Sequence, residues 1–270
     1  MTDRSTHPGP DVEALGELRQ AFELLENPGL IARLSSTLAT PIDAGMDMLP
    51  EYVRGRILAI AESSLRGALK TALWSLNDPS GPAPSNRIHK AGTALSGAIG
   101  GAFGLPALAV ELPISTSIML RSIAEIARSE GEDLAEREAQ MACLEVFALG
   151  GASKRDDAAE TGYFGVRSAL AKTVSEAAKY AASTGAIRDS APALVRLISQ
   201  IAARFSIPVS EKAAAQSVPV IGAAGGALIN VLFMDHFQNA ARGHFIVRRL
   251  ERSHGIEPVQ AAYRRLSRES

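Results

Sequence analysis

The residues best suited to chemistry stand together near the end of the chain, in the stretch MDHFQNAARGHF at residues 234–245. Asp235, Asn239 and Arg242 are spaced four and three residues apart, so a helix would carry all three on one face. A carboxylate, an amide and a guanidinium on one face could bind a polar ligand. This cluster is the first place where the sequence indicates chemistry.

His236 and His244 lie on neighbouring faces of the same stretch. Their spacing of eight residues separates them by about 80° around a helix, so they do not form the paired ligands of an HExxH zinc site. A metal would need Glu111 or Glu145 as a further ligand. We expect neither a metal nor a cofactor.

Glu111 and His236 occupy matching positions in two similar segments. Each lies fourteen residues after the first glycine of a GAxGGA sequence, GAIGGA at residues 97–102 and GAAGGA at residues 222–227. An internal pseudo-symmetry would bring the two side chains to a shared polar site within a helical bundle. The alternative is that each marks the point where a helix leaves the core for water, and this is the commoner situation for charged groups.

Glu145 is isolated in the apolar segment MACLEVFAL, residues 141–149. A carboxylate with apolar residues on every side of its helix needs a partner. Arg121, which also stands four residues before Glu125, is the candidate. The pair would be either a buried ion pair that sets helix register or a carboxylate with a raised pKa suited to proton chemistry.

Two uncharged runs, residues 91–110 and 213–234, contain these GAxGGA sequences. Glycines at helical spacing allow two helix backbones to approach closely. We therefore predict that the two runs pack as a central glycine-rich helix pair. The glycines predicted to form the contact are Gly97, Gly100, Gly101, Gly104, Gly222, Gly225 and Gly226.

The composition predicts an all-α helical bundle. The chain is rich in alanine, aromatic residues make up 5% of it, and no segment is a convincing strand. The 28 basic residues nearly balance 29 acidic ones, so no basic field indicates nucleic acid. A single cysteine excludes an internal disulfide and favours a reduced, cytoplasmic setting. GxSxG, P-loop and GxGxxG motifs are absent from the sequence.

Punctuation by proline and glycine divides the chain into a disordered N-terminus at residues 1–10, an N-terminal helical arm at 11–76, a linker at 77–87 and a helical domain at 88–270. Asp11 is expected to cap the first helix. Asp133 and Glu136 match a capping box. Pro113 and Pro208 are expected to interrupt helices.

Four segments resemble the EcsC protein family of bacteria. They are residues 104–134, 143–151, 218–230 and 234–251, which read GLPALAVELPISTSIMLRSIAEIARSEGEDL, CLEVFALGG, VPVIGAAGGALIN and MDHFQNAARGHFIVRRLE. The resemblance covers about residues 90–263, and residues before Lys90 gain nothing from it. It suggests that six of the polar residues belong to family motifs, namely Glu111, Glu145, Asp235, His236, Arg242 and His244.

The resemblance implies a membrane-linked accessory role, because the family takes its name from a protein encoded beside the components of an ABC transporter. The leading expectation is a non-enzymatic cytoplasmic protein at the inner face of the cell membrane. It would dock through the glycine-rich pair on a membrane surface or on a membrane protein such as an ABC transporter. Two alternatives remain: a hydrolase, peptidase-like and possibly metal-assisted, using Glu111, Asp235, His236 and His244, and a dimerisation module that makes a homo-oligomer through its GAxGGA faces.

Overall fold

The computed structural model describes residues 10–26, 29–38, 51–76, 105–150, 162–184, 191–216 and 222–269, and these are helical with short turns. The helices are α1 (Val12–Glu26), α2 (Leu30–Leu38), α3 (Glu51–Leu76), α4 (Leu105–Ser129), α5 (Arg137–Leu149), α6 (Tyr163–Thr184), α7 (Pro192–Gln216), α8 (Gly222–His254) and α9 (Ile256–Glu269). The described residues contain no strand. The all-α prediction is confirmed.

Helix α8 is the axis of the bundle. Its 33 residues pack against α1, α2, α4, α5, α7 and α9. Helix α5 lies beside it and is buried on every side from Ala139 to Leu149. Aromatic rings join these helices to α7: Phe147 lies 5.0 Å from Phe205 and 5.4 Å from Phe237, measured between ring centroids. Edge-to-face ring contacts of this kind add to the free energy gained from burial.

Helices α4 and α8 run side by side in the same direction. Asn230 contacts Glu111 near the start of both helices, and Gln238 donates a hydrogen bond to Ser122 farther along. Arg248 contacts Glu132 just past the end of α4. The bundle therefore has two distinct ends. We call the end with the starts of α4 and α8 the apolar end, and the end with their C-termini the charged end.

Several local predictions are confirmed. The carboxylate of Asp11 accepts the N–H of Ala14 at 2.9 Å and caps α1. Helix α3 has the predicted bounds. Gly131 and Gly255 end α4 and α8 with φ of 79° and 86°, a left-handed conformation that favours glycine.

Both prolines that were expected to interrupt helices lie inside them, so these predictions were wrong. Pro113 is within α4, and Pro208 is within α7, which continues past the predicted end near Phe205 to Gln216. A proline inside a helix costs about 3 kcal/mol. The buried residues that flank it, such as Leu112 and Val209, are held by tertiary packing that offsets this cost.

Two smaller predictions were also wrong. Asp133 and Glu136 do not form a capping box: the Asp133 carboxylate accepts the N–H of Ala135, and Glu136 makes no side-chain cap. Leu58 was placed on the buried stripe of α3, but it is 41% exposed, and the neighbouring Ile57 is buried instead. Helix rotation is set by packing against α4 and α7, which the sequence period does not specify.

Some predictions concern residues that the structure does not describe. These are the N-terminus at 1–9, the linker at 77–87 and the first glycine-rich segment with Gly97, Gly100, Gly101 and Gly104. Of the second segment, Gly222 begins α8 and Gly226 is buried. The glycine-rich pair and the division into domains stay predictions. In the described part of the chain, no helix is both long and apolar enough to cross a membrane.

Candidate functional site

A buried charge network lies at the apolar end. The Glu111 carboxylate accepts hydrogen bonds from the Lys212 ammonium at 2.6 Å and from the Asn230 amide at 3.1 Å. Lys212 is fully buried, and its ammonium also lies 4.7 Å from the centroid of the Phe233 ring. Burial lowers the pKa of Lys212, and the charge of Glu111 partly opposes this shift. The network joins α4, α7 and α8.

Sequence reasoning identified Glu111 but missed Lys212. A lysine beside Glu211 is typical of a solvated helix face. The available signal was its position directly before the uncharged run that starts at Ala213. A charge at the border of such a run is a candidate for burial against the opposite charge.

At the charged end, Glu132 is held by two arginines. Its carboxylate accepts two hydrogen bonds from Arg248, at 2.9 and 3.0 Å, and another from Arg252. Backbone hydrogen bonds from Glu132 N–H to the Ala127 carbonyl and from Gly131 N–H to the Arg128 carbonyl close the end of α4. The turn therefore fixes the place of Glu132. The two guanidinium groups hold the pKa of its carboxyl below the ordinary value, although burial opposes them.

A second arginine–carboxylate pair lies beside the first. Arg167 of α6 donates two hydrogen bonds to Glu251 of α8, at 2.9 and 3.0 Å. It also donates to the Tyr163 hydroxyl at 3.1 Å, and that hydroxyl lies 3.0 Å from His244 Nδ1. Because the hydroxyl oxygen accepts from Arg167, its proton is free to be donated to Nδ1.

This arrangement leaves His244 Nε2 buried with no hydrogen-bond partner among the described residues. Burial first, and then the charges of Arg167 and Arg248, hold the pKa of His244 well below its ordinary value. The imidazole is therefore neutral at physiological pH. A buried imidazole nitrogen without a partner is an unusual feature that calls for an explanation.

Glu145 is the other unusual group at this end. It is 5% exposed and makes no hydrogen bond within the described part of the chain. Burial raises its pKa to about 7, and the nearby charges of Arg167 and Arg248 reduce the shift. Arg121 is not its partner, contrary to the prediction. Arg121 is on the surface, 3.9 Å from Glu125.

An open cleft of about 690 Å³ lies directly over these groups. It is formed by the turn between α4 and α5, the first turns of α5 and α6, and the end of α8. Sequence reasoning missed it, because its residues come from four separate segments. The lining residues are Gly131, Glu132, Asp133, Glu136, Glu138, Ala139, Arg167, Arg248, Glu251, Arg252 and Ile256.

The remaining predicted residues of α8 have separate contacts. The imidazole Nε2 of His236 donates to the Gly150 carbonyl at 2.6 Å, and burial lowers the pKa of His236. Arg242 donates to Asn239 on its own helix at 3.1 Å. Asp235 is half-buried. Among the described residues, no three His, Cys, Asp or Glu side chains are grouped so that they could hold a metal ion.

Glu111 and His236 do not share a contact, since Glu111 binds Lys212 and Asn230 whereas His236 binds Gly150. His244 binds Tyr163. No observation brings the four residues of the hydrolase hypothesis together, and that hypothesis stays a prediction.

Comparison with known proteins gives one match. The family model described as the EcsC protein family matches residues 14–250. The match begins far before Lys90, so the expectation that the N-terminal portion falls outside the resemblance was wrong. No curated protein and no solved structure was found to match the chain.

Proposed function

The chain belongs to the EcsC protein family, and from this premise we propose that it is a non-enzymatic accessory protein that docks by its apolar end. The docking partner would be a membrane surface or a membrane protein such as an ABC transporter, and the process assisted would be transport or envelope maintenance. The observation that carries the proposal is the absence of exposed charge on the described first halves of α4 and α8.

The sequence of both helices supports this proposal. Between residues 105 and 120, Glu111 is the single ionisable residue of α4, and it is buried. Residues 222–234 of α8 have no ionisable side chain. Because an interface with lipid or with an apolar protein surface excludes unpaired charge, these two half-helices are suited to such an interface.

Large apolar side chains are exposed on the same half-helices. Val110 is 69% exposed and Ile114 is 50% exposed, one turn apart on α4, and Leu228 of α8 is 38% exposed. Burying side chains of this size on docking would contribute about 1.5–3 kcal/mol each. The Glu111–Lys212 pair removes the charge that would otherwise oppose docking.

The test is fractionation of cells that express the native chain. Membranes are washed with high salt and then with alkaline carbonate, and purified protein is floated with phosphatidylglycerol-containing vesicles. We expect membrane recovery that survives high salt, because apolar contacts are not screened. Entirely cytosolic protein that fails to float with vesicles would contradict docking on lipid. Failure to co-purify with membrane proteins as well would contradict the whole proposal.

The matched variants are Val110→Gln with Ile114→Gln, and Val12→Gln with Leu15→Gln. The second pair is also exposed and apolar but lies on α1, whose Glu17 contacts Arg249 at the charged end. Loss of the first pair is expected to weaken membrane recovery roughly tenfold or more, whereas the second pair leaves recovery unchanged. Equal losses from both pairs would refute a role specific to the apolar end.

A further inference from the structure

The cleft at the charged end has a floor and a rim of opposite charge. The side chains of Arg167 and Arg248 are each 19% exposed and form the floor. Three exposed carboxylates, those of Asp133, Glu136 and Glu138, form the rim. A ligand with one sign of charge would therefore be attracted by one layer and repelled by the other.

The floor has an excess of positive charge. Three arginines line the cleft, Arg167, Arg248 and Arg252, and two carboxylates are paired with them, Glu132 and Glu251. One guanidinium charge is therefore not neutralised by the carboxylates of the floor. A buried or half-buried guanidinium commonly binds a carboxylate or phosphate group through two parallel hydrogen bonds.

The floor arginines are held in place and still have donors to offer. Arg248 uses Nε and Nη2 for Glu132, so its Nη1 group lies outside these hydrogen bonds. Arg167 is clamped by Glu251 from α8 and by Tyr163 from its own helix. Side chains that are already ordered lose little conformational entropy when a ligand binds.

Two buried polar groups without hydrogen bonds lie behind the floor. Glu145 makes no hydrogen bond in the described part of the chain, and His244 Nε2 has no partner there. The charges of Arg167 and Arg248 act on both groups. Unpaired buried groups next to a charged cleft cost stability, and such a cost is typical of sites shaped for a ligand.

We propose that this cleft binds a small zwitterion, a free amino acid or a short peptide with free termini. The carboxylate of the ligand binds Arg248 and Arg167 on the floor, and its ammonium group binds the acidic rim at Glu136 and Glu138. The cleft volume of about 690 Å³ is within the range of about 300–1,000 Å³ for small-molecule sites. The site lies at the opposite end from the docking surface, so this inference does not depend on the proposed function.

Calorimetric titration of the full chain with four probes tests the proposal. The probes are trialanine, alanine, N-acetyl-trialanine, which lacks the ammonium, and trialanine amide, which lacks the carboxylate. We expect trialanine or alanine to bind and each blocked peptide to bind at least tenfold more weakly. The stronger of the two unblocked probes shows whether peptides or amino acids are the ligand. Absence of binding by both at millimolar concentration would overturn the proposal.

Variants at the rim separate the two contacts. Glu136→Gln with Glu138→Gln removes the rim charges at exposed positions, so the fold is expected to persist. The pair should weaken trialanine at least tenfold and leave N-acetyl-trialanine unchanged. The control, Glu13→Gln with Glu23→Gln, alters two exposed carboxylates of α1 outside the cleft and should change nothing.

A conservative floor variant tests the carboxylate contact. Arg248→Lys keeps a positive charge but cannot form two parallel hydrogen bonds, and we expect it to weaken trialanine and to leave trialanine amide unchanged. Inorganic phosphate is the simple-anion probe. Phosphate binding as tight as trialanine, insensitive to the rim variant, would show a plain anion site and overturn recognition of a zwitterion.

Discussion

Replacing Glu145 by glutamine is expected to stabilise the protein, and to do so more at pH 8 than at pH 5. The carboxyl group is 5% exposed on the fully buried helix α5, and burial raises its pKa from 4.5 to about 7. Arg167 of α6 and Arg248 of α8 oppose the shift, and Glu251 of α8 adds to it. Glutamine has nearly the same shape and no charge to bury.

The sign and size follow from proton linkage. Between pH 4.5 and 7 the folded protein holds a proton on Glu145 that the unfolded chain releases, so the free energy of unfolding decreases as the pH rises through this range. One pKa unit corresponds to about 1.4 kcal/mol. The shift therefore amounts to roughly 3 kcal/mol above pH 7 and to less than about 1 kcal/mol near pH 5.

Denaturant unfolding of the native protein and of Glu145→Gln at several pH values measures this difference. We expect the variant to be more stable by roughly 3 kcal/mol at pH 8, with the gap closing as the pH falls. Glu138→Gln is the control, because it makes the same change on the same helix at an exposed position. A gap that does not depend on pH, or that widens at low pH, would refute the view that Glu145 is buried and titrates near neutrality.

Two further substitutions test the packing. Lys212→Met leaves Glu111 buried without its ammonium partner and should lower the free energy of unfolding by about 3–5 kcal/mol. Most of this loss should be regained when Glu111→Gln is added, and no recovery in the double variant would argue against the pair. Gly243→Ala places a Cβ 2.6 Å from Leu25 Cγ and should destabilise the contact of α1 with α8 by about 1–3 kcal/mol in denaturant unfolding. Gly16→Ala, whose Cβ would meet nothing within 4 Å, should be neutral or stabilising, and an equal loss there would contradict the role of packing.

The buried polar residues show how far sequence reasoning extends. The burial of Glu145 was predictable, because every face of its helix is apolar. Its neighbours were not, because Arg167 and Arg248 come from other helices and Arg121, the partner expected from the sequence, points to solvent. Sequence spacing relates residues within a helix and does not relate one helix to another.

The prolines illustrate a second limit. An intrinsic preference of about 3 kcal/mol predicted breaks at Pro113 and Pro208, and both helices continue through them. The packing of the flanking residues in the bundle outweighs the local preference. Such a balance is visible only when the neighbours from other helices are known.

Local chemistry in the chain was sufficient to specify the helices and many of their ends. Asp11 caps α1 with its own carboxylate, and Gly131 and Gly255 adopt the left-handed turns that other residues avoid. These interactions join residues a few positions apart, so the sequence contains them. The buried pair at Lys212 and the charged cleft depend on the register between distant helices, and that register is set by side-chain packing in three dimensions.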